Sequence, residues 1–146
     1  VKQHLPNSNP DKLENGLKKT IHWGRYMIKK SNSQTIIIDA AHNEQSLEQL
    51  ITNIQIDYPE TDFHFLVGLN KTKKTDALIT KINSIATSIY YCEFDKQYAE
   101  LFENVQKSSK IKMKTFNLQD PIPKKQILII TGSIYFIGTL KNLKKI

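Results

Sequence analysis

Short apolar runs rich in β-branched residues alternate along this sequence with segments in which the apolar residues have helical spacing. The run TIIID at residues 35–39 is typical of a strand buried on both faces of a sheet. After Asn43 the leucines and isoleucines recur at intervals of three and four residues. This spacing predicts an amphipathic helix whose first turn is capped by Asn43. A strand followed at once by such a helix is the repeating unit of a parallel α/β sheet.

The same unit recurs along the rest of the chain. Further strands are predicted at residues 23–29, 63–68, 88–94, 111–116 and 126–131. Further helices are predicted at residues 75–85 and 97–106, and the second of these is expected to turn Leu101, Phe102 and Val105 inward. Segment 111–116 is typical of an edge strand, and segment 132–143 is compatible with a helix or a hairpin arm. The predicted fold class is α/β: a Rossmann-like, doubly wound, mostly parallel sheet with helices on both faces.

The length of 146 residues fits a single domain with its own core. The chain begins at Val1 with a polar, proline-bearing stretch. We therefore expect residues 1–22 to be a tail or linker from a preceding domain and residues 23–146 to form the folded domain. Cys92 is the only cysteine, which excludes an intrachain disulfide and a thiolate-rich metal cage. No apolar stretch approaches the ~20 residues of a membrane span, and no signal pattern is visible, so we expect a cytoplasmic location and no membrane partner.

The formal net charge of +7 can indicate an anionic partner such as nucleic acid, phosphate or a poly-acid. The lysines are scattered, however, and the densest group, at residues 71–74, has no aromatic residues between its cations. A role in keeping the protein surface soluble explains most of these lysines. Of the 21 basic residues only Arg25 is an arginine. In a sequence that otherwise uses lysine, this indicates a position that needs the planar, two-pronged guanidinium.

In a sheet of this class ligands bind beyond the carboxyl ends of the strands, where loops lead into helices. Asp39 ends a buried strand and can accept hydrogen bonds from hydroxyl groups such as those of a ribose, unless it only orders the turn. His42 can accept a proton or orient a nucleophile, unless it only bonds to the backbone. Ser133 follows the last strand, where it can seat a phosphate or carboxylate or serve only as a helix N-cap.

No phosphate-binding glycine loop is present in the sequence. The five glycines form neither the G-x-x-x-x-G-K-[ST] loop nor the G-x-G-x-x-G fingerprint. The four histidines lack the mutual spacing of a metal site. The chain is therefore not expected to cradle a triphosphate by itself, and we assign no metal-ligating residue.

Three segments, GLKKTIHWGRYMI, IIIDAAHN and ILIITGSIYFIG, resemble in order and spacing the C-terminal domain of the folylpolyglutamate synthase and dihydrofolate synthase family, relatives of the Mur ligases. The resemblance extends from about Gly16 to Leu143, and the residues before about His22 are similar to the closing helix of that family's ATP-binding domain. It implies an ATP-dependent amide ligase that phosphorylates a carboxylate of dihydropteroate or a folate and joins L-glutamate to it through the acyl phosphate.

The same resemblance implies ATP and Mg²⁺ as cofactors, with the phosphate loop and the metal ligands in domains that this chain lacks. It also implies roles for four residues. Arg25 and Asp39 match positions that contact the nucleotide, and His42 and Ser133 match positions near the incoming glutamate, with His42 as the catalytic candidate. The partners implied are the folate or dihydropteroate, L-glutamate and the ATP-binding domain, and not nucleic acid.

The sequence departs from the family pattern at three places. Trp23 is followed directly by Gly24, where a proline is usual between them. Ala40 stands where glycine is common, and the loop after Gly68 lacks the usual acid–lysine–acid pattern. We expect the isolated chain to be catalytically silent. The alternative is a stand-alone basic α/β module that binds nucleic acid or a free nucleotide.

Overall fold

The structure, a computed structural model, describes residues 23–71 and 75–146. Its strands are β1 (Met27–Lys30), β2 (Thr35–Asp39), β3 (Phe63–Gly68), β4 (Ala86–Tyr91), β5 (Lys114–Thr115) and β6 (Ile127–Gly132). Its helices are α1 (Glu44–Asp57), α2 (Thr75–Asn83), α3 (Phe102–Ser108) and α4 (Ile134–Asn142). The expected tail at residues 1–22 and most of the lysine-rich loop at residues 71–74 lie outside the described residues. Within the described residues, no helix is long and apolar enough to cross a membrane.

The six described strands form one sheet in the order β1-β2-β6-β3-β4-β5. All neighbouring strands are parallel except β1, which runs antiparallel to β2 at one edge. The mostly parallel α/β class predicted from the sequence is confirmed. β6 is the last of these strands in the chain, yet it lies between β2 and β3. The loops that follow β2, β6 and β3 are therefore side by side at the carboxyl edge of the sheet.

Each face of the sheet carries its own hydrophobic core. α1, α2 and α3 cover the first face, and their buried side chains include Leu50 and Ile79. α4 covers the second face and buries Phe136 there. Successive residues of a strand point to opposite faces, so Ile37 belongs to the first core and Ile38 to the second. The run TIIID is buried on both sides, as its composition predicts.

Two glycines allow the ends of β3 and β6 to approach the start of α4 closely. Gly132 has a φ of +111°, and a Cβ at this position would lie 2.3 Å from the carbonyl oxygen of Gly68. A Cβ at Gly68 would lie 2.4 Å from the ring of Phe136. The amide of Ser133 donates a hydrogen bond to the Gly68 carbonyl oxygen at 2.7 Å. Because neither glycine has a side chain, the ends of β3 and β6 lie close enough for this hydrogen bond to form. The bond sets the position of Ser133 at the start of α4.

The strand predicted at residues 23–29 is shorter than expected. β1 begins at Met27, because the chain turns through two residues with positive φ, Gly24 at 76° and Tyr26 at 42°. The alternating aromatic character that predicted a strand here belongs to side chains that pack around a turn. The strand prediction was therefore wrong for residues 23–26, which include Arg25.

The helix predicted at residues 97–106 is wrong in its first half. α3 begins after Leu101, which was expected to face the core and is instead 49% exposed. The carboxylate of Asp95 accepts hydrogen bonds from the amides of Gln97 and Tyr98 at 2.7 and 3.0 Å. An aspartate that bonds the backbone two and three residues ahead stabilises a turn in competition with a helix.

Smaller differences concern the bounds of other elements. β4 begins two residues earlier than predicted and ends at Tyr91, and α2 ends at Asn83. The segment at residues 111–116 lies at the sheet edge as predicted, but only Lys114–Thr115 are paired as a strand. Segment 132–143 forms the helix α4, which excludes the hairpin arm.

Candidate functional site

The four site residues expected from the sequence lie at the carboxyl edge of the sheet. Asp39 ends β2, His42 lies in the loop before α1, Ser133 follows β6, and Arg25 lies in the turn before β1. Asp39 is paired in register with Thr131 of β6, two residues before Ser133. The structure groups the four residues as two neighbouring pairs, Arg25 with Asp39 and His42 with Ser133.

Arg25 and Asp39 form the first pair because the turn that carries Arg25 is bonded to the end of β2. The carbonyl oxygen of Gly24 accepts a hydrogen bond from the amide of Ala40 at 2.8 Å. The amide of Tyr26 donates to Oδ2 of Asp39, also at 2.8 Å. Arg25 itself is exposed, and its charge is close enough to lower the pKa of the Asp39 carboxyl. A solvent-facing guanidinium thus lies beside an acid that is held in place.

Burial is the strongest influence on the Asp39 carboxyl. Loss of solvent raises its pKa above the ordinary value, and this outweighs the Tyr26 amide, the Arg25 charge, the Ala41 amide and the His42 ring, all of which lower it. A carboxylate has about four acceptor positions, so two backbone amides leave room for further donors. Asp39 therefore orders the turn, as its alternative role required, and can also accept hydroxyl groups.

His42 lies immediately before Asn43, the N-cap of α1. The side chain of Asn43 accepts the amide of Ser46, and the hydroxyl of Ser46 bonds back to the Asn43 amide, which closes a capping box. Nδ1 of His42 is 2.9 Å from the carbonyl oxygen of Ala40. In the neutral ring this contact places the proton on Nδ1 and leaves Nε2 as an acceptor. The backbone bond considered as an alternative is therefore present, and it orients the ring.

Ser133 is the N-cap of α4, so its alternative role is also realised. Its Oγ accepts the amide of Tyr135 at 3.1 Å. A serine hydroxyl that accepts one hydrogen bond still carries its own proton, which it can donate to a ligand. The residue as a whole is only 2% exposed. Ser133 is therefore almost entirely enclosed at the start of the helix.

His42 and Ser133 share a cavity of about 330 Å³, which we call the first cavity. The other lining residues are Leu69, Asn70, Lys71 and Leu78. The hydroxyl of Ser133 and the ammonium of Lys71 can each donate to a carboxylate, while Nε2 of His42 can accept from an amine. The two leucines supply an apolar wall. This arrangement can hold a small amino acid by its carboxylate, its amine and its aliphatic stem.

Two residues that contribute to this edge were not found by sequence reasoning. Tyr26 donates its amide to Asp39 and its hydroxyl to Oδ2 of Asp57 in α1, at 2.7 Å. Asn70 has a buried side-chain oxygen, Oδ1, that finds no hydrogen-bond partner within residues 23–71 and 75–146. Proximity to Gly24 was a signal for Tyr26, because glycine often marks a turn. Asn70 lies in the loop after Gly68, which the sequence predicts to be one of the ligand-binding loops at the strand ends, but nothing in the sequence distinguishes Asn70 within that loop.

The described residues do not provide a metal centre. No three His, Cys, Asp or Glu side chains among residues 23–71 and 75–146 come together in a group that could hold an ion. The residues of this part of the chain therefore do not fit Mg²⁺ without ligands from elsewhere. They do fit a nucleotide in part, because Asp39 retains acceptor positions and Arg25 presents a charged donor.

Comparison with known proteins gives one consistent result. No protein-family model matches the chain. The curated dihydrofolate synthase/folylpolyglutamate synthase of Bacillus subtilis is 26% identical over 154 residues, covering 99% of this chain and 35% of that protein. The Mycobacterium tuberculosis folylpolyglutamate synthase complexed with ADP and AMPPCP matches with a TM-score of 0.79 and 18% identity, over 94% of this chain and 35% of that chain. The fold is that of a folylpolyglutamate synthase domain.

A second solved structure leads to the same fold. The Yersinia pestis bifunctional folylpolyglutamate synthase/dihydrofolate synthase with Mn, AMPPNP and L-glutamate bound has a TM-score of 0.78 and 15% identity, over 97% of this chain and 37% of that chain. The resemblance to folylpolyglutamate synthases that the three sequence motifs indicate is confirmed. The chain spans about a third of the length of these relatives, 35% of the curated one.

Proposed function

We propose that this chain is the C-terminal domain of an ATP-dependent ligase that joins L-glutamate to dihydropteroate or a folate through an acyl phosphate. In this proposal residues 1–22 lead from an ATP-binding domain and residues 23–146 form the ligase domain. The observation that carries the proposal is the placement of the Arg25 and Asp39 pair beside the cavity of His42 and Ser133, at one edge of the sheet. Because the chain spans only about a third of the length of its relatives, we expect its substrates to contact the other domains of the protein as well.

Arg25 and Asp39 are the residues of this chain that would hold ATP. Asp39 accepts the ribose hydroxyls at its remaining acceptor positions, as acids at this edge of a doubly wound sheet do. Arg25 donates its two-pronged guanidinium to phosphoryl oxygens, where negative charge accumulates. When bound, ATP supplies the phosphoryl group that activates the acceptor carboxylate. The bond from the Tyr26 amide keeps Asp39 in position throughout.

His42 and Ser133 act on the incoming glutamate. The Ser133 hydroxyl and the Lys71 ammonium donate to a carboxylate of the amino acid. Nε2 of His42 accepts a proton from the glutamate ammonium, which frees the nitrogen lone pair for attack on the activated carbonyl carbon. A C–N bond forms, the carbonyl C–O bond to phosphate breaks, and the departing phosphate takes the second amine proton and leaves as hydrogen phosphate. The hydrogen bond from Nδ1 to the Ala40 carbonyl holds the ring for this transfer.

Arg25→Ala in the intact enzyme tests the nucleotide role. A charged hydrogen bond contributes ~1.5–3 kcal/mol, so kcat/KM for ATP should fall roughly 10- to 150-fold. The measurement is ADP release that depends on both glutamate and a folate or dihydropteroate. Lys29→Ala is the matched control, since Lys29 is an exposed cation in the adjoining strand β1 and should leave the rate unchanged. A wild-type enzyme without glutamate-dependent ADP release would exclude the ligase, and unchanged kinetics for Arg25→Ala would exclude its role.

A further inference from the structure

Tyr26, which follows Arg25 directly, has an unusual backbone conformation. Its φ of 42° lies in the left-handed region, which a bulky residue rarely adopts. Strain of this kind persists only where the surroundings hold a residue in place, and it is concentrated at functional sites. The function proposed above uses only the amide of Tyr26, through its bond to Asp39. The strained backbone and the side chain of Tyr26 therefore still need an explanation.

The turn that carries Arg25 is bonded to the end of β2 on both sides of this residue. Before it, the carbonyl oxygen of Gly24 accepts the amide of Ala40 at 2.8 Å. After it, the amide of Tyr26 donates to Oδ2 of Asp39 at 2.8 Å. Arg25 lies between these two bonds and is exposed. Its backbone is therefore attached to the sheet at both ends, while its guanidinium is accessible to a ligand.

The side chain of Tyr26 attaches the same turn to a second element. Its hydroxyl donates to Oδ2 of Asp57, the last residue of α1, at 2.7 Å. Burial is the main reason why the pKa of this hydroxyl is raised, and the Asp57 carboxylate adds to the effect, so the group stays protonated and remains a donor. The ring packs against the first core. Tyr26 therefore connects the turn both to β2 and to α1.

The position of Asp57 is unfavourable for helix α1 taken alone. A negative charge at the C-terminal end of a helix opposes the helix dipole. Among the described residues, the last turn of α1 holds no basic side chain that would offset this charge. The carboxylate does, however, accept the Tyr26 hydroxyl. Asp57 therefore serves the turn that carries Arg25 rather than the helix to which it belongs.

Loss of the bond between Tyr26 and Asp57 would change the direction of Arg25. The strain at Tyr26 would then be balanced by fewer contacts, and its backbone can relax toward the negative φ that a tyrosine prefers. Such a change rotates the peptide unit that joins Tyr26 to Arg25, and this moves the guanidinium. A guanidinium donates to phosphoryl oxygens in a rigid fork, so its contribution is sensitive to a displacement of this kind.

We propose that Tyr26 and Asp57 are positioning residues, which hold Arg25 in the direction from which it donates to the phosphoryl groups of ATP. The inference rests on the proposed function, because that function assigns ATP to Arg25. Tyr26 and Asp57 act through Arg25 and do not touch the nucleotide themselves. The end of α1 is then coupled to the nucleotide site through a single side chain.

The first test is hydrogen exchange of the amide of residue 26, followed by NMR in the 146-residue chain without ATP. Tyr26→Phe removes the hydroxyl and keeps the ring, and Asp57→Ala removes the acceptor. Either change should make this amide exchange roughly two- to tenfold faster, the effect expected for one hydrogen bond. Tyr58→Phe is the matched control, because Tyr58 also packs against the first core, and it should leave the exchange rate unchanged. Unchanged exchange in both Tyr26→Phe and Asp57→Ala would overturn the proposal.

Kinetics of the intact enzyme show whether the two residues act through Arg25. Tyr26→Phe should raise KM for ATP roughly two- to tenfold. It should leave KM for L-glutamate unchanged, because His42 and Ser133 are not part of this connection. In an enzyme that already carries Arg25→Ala, Tyr26→Phe should cause no further loss, since residues that act through one another are not additive. An equal loss of kcat/KM for ATP in both backgrounds would reduce Tyr26 to a general structural role and overturn the proposal.

Two further results separate positioning from stability. Asp57→Ala should raise KM for ATP as Tyr26→Phe does, yet it should change the midpoint of urea unfolding little, because it also removes an unfavourable charge from the end of α1. Tyr26→Gly permits the positive φ without strain but removes the ring and the hydroxyl. Its kcat/KM for ATP should fall at least as far as that of Tyr26→Phe. Wild-type kinetics in Tyr26→Gly would mean that backbone conformation alone directs Arg25, which would overturn the proposal.

The positioning proposal and the ligase proposal fail separately. Hydrogen exchange at residue 26 needs neither ATP nor turnover. A wild-type enzyme without glutamate-dependent ADP release would overturn the ligase proposal, even where exchange at residue 26 responds as expected. Normal ADP release in the wild type, with kinetics that neither Tyr26→Phe nor Asp57→Ala changes, would overturn the positioning proposal alone.

Discussion

Asp39 has an observed structural role and a proposed ligand-binding role, and the physical requirements of the two conflict. Its carboxylate is partly buried where it accepts the Tyr26 amide, and burial raises its pKa because the charged form loses solvent. A ligand that donates hydroxyl groups is best bound by the ionised form. Ionisation of this carboxyl therefore comes at some expense of stability, which is a common property of functional sites.

Asp39→Asn should make the folded chain more stable at pH 7. Because the folded-state pKa is raised, the stability contributed by the protonated carboxyl is complete below the unfolded pKa of about 3.9 and is lost as the pH rises through the folded value. Asparagine lacks this ionisation and can still accept the Tyr26 amide through its oxygen. Urea unfolding should show a gain in the free energy of unfolding at pH 7 that disappears at pH 3. A loss of stability that is larger at pH 7 than at pH 3 would contradict the sign.

At the scale of elements, the start of α4 depends on the contact between the ends of β3 and β6. Gly132→Ala places a Cβ 2.3 Å from the Gly68 carbonyl oxygen at a φ of +111°. Strain of this kind costs about 1–3 kcal/mol or more. We expect a lower midpoint of urea unfolding. Because Ser133 follows Gly132 directly, we also expect weaker binding of L-glutamate in the first cavity. A higher midpoint of urea unfolding for Gly132→Ala would show that the two strand ends can separate without a cost in free energy.

Gly138→Ala is the matched control for that substitution. Gly138 lies inside α4, and a Cβ there meets nothing within 4 Å. Alanine in a helix interior is more favourable than glycine by roughly 0.8–1 kcal/mol. Gly138→Ala should therefore raise the unfolding midpoint while Gly132→Ala lowers it. Equal changes in the unfolding midpoint for the two substitutions would mean that the backbone conformation at Gly132 does not contribute to stability.

For the whole molecule, sequence periodicity predicted the elements that bury a regular stripe of side chains. The buried run before Asp39 and the helix after Asn43 were predicted correctly because the polarity of each side chain indicates whether that position is buried. The sequence did not reveal contacts that form only when distant segments meet. The Tyr26 amide reaches Asp39 across thirteen positions, and the turn at Asp95 replaces the start of a helix that local spacing favours. Asp39, His42 and Ser133 were predictable at the edge because each ends or follows a buried strand, whereas the turn that carries Arg25 and the hydrogen-bond partners of these residues were not.

The two cores share one sheet, so the whole molecule should unfold as a unit. Trp23, the only tryptophan, packs against the second core, and its ring lies 4.2 Å from Nζ of Lys141. Leu50 is buried in the first core on the opposite face. Leu50→Ala removes buried methyl groups at ~2–5 kcal/mol, and this loss reaches Trp23 only if the faces are coupled through the strands.

We therefore expect the fluorescence of Trp23 and the far-UV circular dichroism of Leu50→Ala to lose their signals at the same urea concentration, below that of the wild type. Single domains of this size usually show such coincident transitions. Lys112→Gln, an exposed change, should leave both midpoints where they are in the wild type. A tryptophan midpoint that stays in place while the circular dichroism becomes biphasic would mean that the second face folds independently. The carboxyl edge would then no longer be a single rigid platform for both pairs of site residues.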